Sequence, residues 1–227
     1  MKKKIIGIVA GFNPKAADMI KTLLLDRVGD GSIDVLLSQE LFRINPDPSK
    51  RLRDRQRFVL EETRALIDGG AEFVLVPDFA SEPFIKSVQR QVAVAVLDIK
   101  TAMSAVMNAG TSVTGILDKD LAGDWADEGG EGVGRRLFLS SQDQALLDAT
   151  RERMRVVGVC EETLVVLKAM CEKLTAAGAE TIMPNCSHYA NAQPALVAAG
   201  FPVLDVYEAY AKVAIDALSQ NERTAPR

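Results

Sequence analysis

The chain writes one phrase twice. "GAEFVLVPD" begins at Gly70 and "GAETIMPNC" at Gly178, each an apolar run that stops on a chemically active side chain, Asp78 in one case and Cys186 in the other. Three further echoes share the same spacing or nearly so: "KIIGIV" (4–9) with "SVTGIL" (112–117), "IDVLLSQ" (33–39) with "RLFLSSQ" (136–142), and "AVLDI" (95–99) with "PVLDV" (202–206). Gly7 and Gly115, Gly70 and Gly178, and Asp98 and Asp205 lie 107 or 108 positions apart. A single long period of this kind is a half-chain duplication, not a solenoid, whose repeats run to roughly 20–50 residues. Whatever the first half folds into, the second half must fold into something similar.

Each half alternates two patterns. Short β-branched runs at 5–9, 33–37, 73–76 and 92–97 are separated by longer stretches whose apolar residues recur at helical spacing, such as 58–67 and 161–174. Glycines at 69–70 and 178 supply stops. Strands that alternate with helices predict parallel sheets with crossover helices. The expected fold class is therefore α/β: two pseudo-symmetric doubly wound lobes with parallel sheets and a ligand cleft between them. The first lobe takes residues 1–98 and 205–227, its final helix (207–218) packing back onto it, and the second takes 99–204. One place breaks the symmetry. Where the first lobe has a helical stretch at 14–25, the second has the polar, glycine-rich segment 118–134 with the only tryptophan, Trp125. It reads either as a surface loop or as a mobile flap with Trp125 as its apolar cover.

Composition narrows the classes of function. Of the 227 residues, 48% are hydrophobic and 26% charged, enough for a real core, and the net charge of −4 offers no basic field to nucleic acid. The basic run "SKRLRDRQR" (49–57) reads as a solvated helix start. The apolar run after the first lysines is too short for a secretory signal, and no stretch approaches membrane-spanning length. Cys160, Cys171 and Cys186 show no metal-ligand spacing, so no metal is expected and a cytoplasmic, reducing location is the simplest setting. Cys160 and Cys171, on or near a helical pattern, read as core residues.

In parallel α/β sheets, ligands bind beyond the carboxyl ends of the strands. Asp78 and Cys186 both fall there, each directly after an apolar strand and before a helical segment. Duplication then delivers two active groups to opposite faces of one bound molecule. Taking a proton from a carbon on one face and returning one on the other inverts a stereocentre. Cys186 opens a helical segment with His188 two positions on, a context that favours an accessible thiol, while Ser187 and nearby backbone N–H groups suit a substrate carboxylate.

These residues resemble a known family. "KKIIGIVAGFNP", "GAEFVLVPDFASEPF" and "GAETIMPNCSHY" are similar to the first strand and the two catalytic motifs of the aspartate/glutamate racemase superfamily, over nearly the whole chain. The resemblance implies two pseudo-symmetric α/β lobes and proton transfer at the α-carbon of an amino acid, with neither pyridoxal phosphate nor another cofactor. It also implies catalytic roles for Cys186, Asp78 and His188 and substrate contacts from Asn13, Ser81, Ser187 and Arg51. Members often pair as dimers, so a homodimer is an expectation of the resemblance alone. The first motif departs from the family: Asp78-Phe79-Ala80 stands where Cys-Asn-Thr is usual.

That departure leaves three readings open. Asp78 and Cys186 form an unmatched acid/base pair in a racemase or epimerase of a small carboxylate. Alternatively, Cys186 alone protonates an enediolate, as in the decarboxylases and isomerases of dicarboxylates that belong to the same superfamily. In the third reading, catalysis has been abandoned and a carboxylate is only bound. The residues have plain structural readings too: Asp78 as a cap of the following helix, His188 as a structural hydrogen-bonding group, Arg51 as a surface charge, and Cys186 as an inert buried thiol.

Overall fold

The computed structural model describes residues 3–29, 31–109, 112–119 and 134–224. The chain folds into two compact units, Met1–Ala102 with Tyr207–Arg227, and Met103–Val206.

The first unit is built on β1 (Lys4–Ile8), β2 (Ile33–Leu37), β3 (Phe73–Val76) and β4 (Ala95–Asp98), all parallel in the order β2-β1-β3-β4. Helices α1 (Pro14–Val28), α2 (Pro48–Asp68) and α3 (Glu82–Gln89) make the crossovers. Helix α2 starts ten residues before the apolar periodicity becomes visible, because Asp47 caps it by accepting from Ser49 N at 3.0 Å and Pro48 follows at the first turn. The 49–57 run is thus helical, with most of its charges in solvent and Arg55 turned partly inward. Strand β4 begins later than the β-branched run suggests. The Gln89 amide donates to Val94 O at 2.9 Å and accepts from Val96 N at 2.8 Å, which pins the preceding residues as a turn.

The second unit repeats the plan with β5 (Thr114–Ile116), β6 (Arg136–Phe138) and β7 (Thr181–Met183), parallel in the order β6-β5-β7. The fourth position holds only a bridge between Ile182 and Val203, since Pro202 has no N–H to extend a ladder. Helix α4 (Ile99–Asn108) leads out of β4, and α5 (Ser141–Val157) and α6 (Glu161–Ala176) precede β7. Short α7 (Ser187–Ala190) and α8 (Gln193–Ala198) follow it. Of the expected flap at 118–134, residues 120–133, including Trp125, lie outside the described residues.

The duplication is atomic as well as topological. A Cβ on Gly7 would meet Leu66 at 3.0 Å and Ala71 at 3.2 Å, and one on Gly115 would meet Leu174 and Ala179, each at 3.1 Å. Each partner lies 108 positions from its counterpart. Gly70 and Gly178 take φ of 98° and 99°, a left-handed conformation that glycine adopts without cost. Ala71 N bonds Leu66 O, and Ala179 N bonds Leu174 O, both at 2.9 Å. The same helix-end turn therefore feeds β3 and β7.

Each unit has its own core. In the first, Val9, Val59, Val74, Val76, Phe84 and Val88 are buried between sheet and helices. In the second, Leu147, Leu167, Met170, Leu174, Ile182 and Leu196 play that part, and Cys171 sits fully buried among them, its thiol pushed up to about 12 by burial. Cys160 is not in this core. It is half-buried at the start of α6, where its N–H donates to Thr163 Oγ1 at 3.0 Å. Helix α9 (Val206–Thr224) closes the first unit: the buried Tyr210 hydroxyl donates to Leu97 O and accepts from Val76 N at 3.0 Å. Among the described residues, no helix is long and apolar enough to cross a membrane.

Candidate active site

Cys186 occupies the N-cap of α7 in extended backbone, φ −143° and ψ 135°, three residues beyond β7. It is only 5% exposed. Its Sγ lies 3.6 Å from His188 Nδ1. Burial pushes the thiol up to about 11; backbone N–H donation from His188 pulls the other way, as does Arg151, and Asp118 adds to the rise. At that value the thiolate fraction at pH 7 is roughly one in ten thousand. His188 is shifted in the opposite sense, below its ordinary 6.5, first by burial and then by the cations of Arg155 and Arg151. At neutral pH the pair is therefore a protonated thiol beside a neutral imidazole. Such a thiol is an acid at rest, not a base.

Residues that the sequence patterns do not single out complete its surroundings. Asp118, wholly buried just past β5, forms an ion pair with Arg151 on α5, and Arg151 also lies 3.0 Å from Asp148. Burial opposes the Arg151 cation, but nearby acidic groups, the Asp118 carboxylate first among them, outweigh it. Asn185 fixes the loop that carries Asp118: its Oδ1 accepts from Asp118 N at 2.8 Å and its Nδ2 donates to Asp118 O at 2.6 Å. A buried charge needs a partner, and here each charge has one. Tyr189, also buried, donates its hydroxyl to Leu147 O at 2.9 Å and ties α7 to α5.

Asp78 stands in the matching local frame of the first unit, an N-cap in extended backbone (φ −128°, ψ 113°) just past β3. It caps a single 3-10 turn, Phe79–Ser81, through a bond of 3.4 Å from Ala80 N. Both carboxylate oxygens also face Arg55 Nη2, at 3.1 and 2.9 Å. The Arg55 guanidinium lies 4.6 Å from the Phe12 ring centroid and 5.2 Å from that of Phe42. Phe58 completes a trio of rings whose centroids are 4.8–5.3 Å apart. Gly11 makes this packing possible, since a Cβ there would come within 2.4 Å of both Glu40 O and Phe58 Cζ.

The other expected substrate contacts take up backbone duties. Asn13 caps α1, its Oδ1 accepting from Ala16 N at 3.1 Å. Ser81 is fully buried and donates to Asp78 O at 2.6 Å, closing the 3-10 turn. Arg51 staples the loop before α2, donating from Nε to Asn45 O at 2.9 Å and from Nη2 to Pro46 O at 3.3 Å. The arginine that reaches Asp78 is Arg55, one helical turn further along the same face of α2. Its i+4 spacing from Arg51 was the available signal. Ser187 is the first residue of α7, directly after Cys186. Among the described residues, no group of three or more His, Cys, Asp or Glu side chains is arranged to hold a metal.

No protein-family profile and no curated protein sequence matches the chain. Solved structures do. An aspartate racemase homologue from Pyrococcus horikoshii is 15% identical with a TM-score of 0.69, the match covering 96% of this chain and 100% of that one. Glutamate racemase from Francisella tularensis, in complex with D-glutamate, is 14% identical with a TM-score of 0.67, covering 100% and 85%. Allantoin racemase from Klebsiella pneumoniae is 15% identical with a TM-score of 0.61, covering 97% and 89%. At such identities the likeness is one of fold, and it extends over essentially the full chain.

Proposed function

From the premise that this chain has the two-lobed α/β fold of the aspartate, glutamate and allantoin racemases, we propose that it is a cofactor-independent racemase or epimerase. It moves a proton at the carbon next to the carboxylate of a small acid. Cys186 acts as the acid and Asp78 as the base, with His188 in contact with the sulfur. The observation that carries this reading is the state of Cys186: a protonated thiol at a strand's carboxyl end, 3.6 Å from a neutral imidazole. A carbanion or enediolate formed next to such a thiol is quenched by it. The opposite step, proton removal, needs a group that is already basic, and a carboxylate supplies one.

Incubation of the protein with L- and D-aspartate and L- and D-glutamate in D₂O tests the proposal. Loss of the α-proton signal with appearance of the other enantiomer is expected, and both should disappear in Cys186→Ala and in Asp78→Asn. No exchange at the α-carbon of any common amino acid, in either configuration, removes the racemase reading.

A second reading is favoured by the Asp78–Arg55 pair. A carboxylate that faces a guanidinium with both oxygens is committed to holding that cation, which leaves Cys186 as the only proton carrier. The reaction is then one-sided protonation after decarboxylation or isomerisation of a dicarboxylate. Release of CO₂ from substituted malonates, abolished by Cys186→Ala but retained in Asp78→Asn, distinguishes it from racemisation.

A further inference from the structure

Arg55 sits where three loops meet at the carboxyl edge of the first sheet, the edge at which α/β folds bind ligands. Phe12 lies four residues past β1, Phe42 five past β2 and Asp78 two past β3, strands that are neighbours in the order β2-β1-β3. The guanidinium is 4.6 Å from the Phe12 ring centroid and 5.2 Å from that of Phe42, and Phe42 N donates to Gly11 O at 3.1 Å, which ties two of the loops together. Ring faces attract the cation on their own account, so its seat does not depend on Asp78. The ion pair with Asp78 is incomplete. A carboxylate engages an arginine best along one edge of the guanidinium, taking two parallel N–H bonds from two nitrogens. Asp78 instead places both oxygens on the single nitrogen Nη2, at 3.1 and 2.9 Å. Nε, beside Nη2 on the same edge, is buried and donates to no acceptor among the described residues. A buried donor left without an acceptor is costly, and such a group calls for a use.

We propose that Arg55 receives a carboxylate of the substrate, and that Asp78 holds its place on the guanidinium until the substrate takes it. The incoming carboxylate engages Nε and Nη2 together, a fuller fit than Asp78 makes, and Asp78 moves off beside the ligand that displaced it. The pair is reachable for this exchange, since the Arg55 and Asp78 side chains are 22% and 12% exposed. Phe12 and Phe42 keep the guanidinium in position while its partner changes. Once released, the Asp78 carboxylate is able to accept a proton, which it is not while both oxygens face a guanidinium. The use made of the released Asp78 rests on the proposed racemase reading; the exchange of partners is a matter of binding alone.

NMR titration of the full chain with acetate, malonate and succinate, against acetamide, malonamide and succinamide, tests the exchange at the Arg55 Nε–H signal. Saturable binding of at least one acid is expected, with a downfield shift and slower water exchange of that signal, and no binding of the amides. Asp78→Asn keeps the shape of the side chain and removes the internal competitor, so it should bind the acid about fivefold tighter or more. Arg55→Lys keeps the charge but loses the two-nitrogen edge, and should bind about tenfold weaker. Should Arg55→Lys not fold, the Nε–H signal and the Asp78→Asn affinity decide. The proposal is overturned if no acid binds, if the amides bind as well, if the Nε–H signal is unmoved at saturation, or if Asp78→Asn binds no tighter. Tighter binding in Asp78→Asn together with no α-proton exchange in the wild type removes the racemase reading and leaves the exchange of partners standing.

Discussion

Replacing Asp118 with asparagine removes one negative charge from beside Cys186 while keeping the shape of the side chain. The backbone of residue 118 stays clamped by Asn185, and Arg151 keeps a carboxylate 3.0 Å away in Asp148, so the fold should survive. Burial, the largest cause of the raised thiol, is untouched. Removing the repulsion from Asp118 leaves the attraction of Arg151 less opposed, and a charge that is a lesser cause of a shift moves the titration by about one to two pH units, the lower part of the usual range. The Cys186 midpoint should therefore fall from about 11 to roughly 9–10. At pH 8 the thiolate would then be about 10- to 100-fold more abundant. The assay is the rate of iodoacetamide alkylation at Cys186 as a function of pH, followed by peptide mass spectrometry, with the half-buried Cys160 as internal reference. A midpoint that stays near 11 or rises, in a variant with native circular dichroism, would refute the claim that the Asp118 charge adds to the raised midpoint of the thiol.

Three other outcomes are expected. Because the Cys186 thiol is raised in the folded state from 9.0 to about 11, its contribution to stability is fully present below about pH 9 and is lost as pH rises through 11. The loss amounts to roughly 3 kcal/mol, readable as a falling urea midpoint that Cys186→Ala flattens. Gly7→Ala and Gly115→Ala should each cost about 1–3 kcal/mol, since each new methyl meets a leucine at 3.0–3.1 Å; costs that differ by more than that range would contradict equivalent packing in the two units. Tyr210→Phe removes the acceptor of Val76 N and should cost about 1–3 kcal/mol, with faster hydrogen exchange at that amide. Protection equal to wild type would show that water or another group replaces the hydroxyl.

The repeated phrases determined most of the architecture. A duplicated run of glycine, alanine and apolar residues fixes local geometry, because turn conformation and strand periodicity depend on neighbours in the chain. Hence the parallel sheets, the matching glycines and the common N-cap frame of Asp78 and Cys186 were all legible in the sequence. The charge partners were not. Arg55 reaches Asp78 across 23 positions and Arg151 reaches Asp118 across 33, and such pairings depend on which face of a helix the tertiary packing turns inward. Arg51 and Arg55 look equivalent in sequence, yet one staples a loop and the other grips a carboxylate. The protonation of Cys186 was decided the same way: its place before a helix suggested a reactive thiolate, and the burial that only packing imposes made it an acid instead.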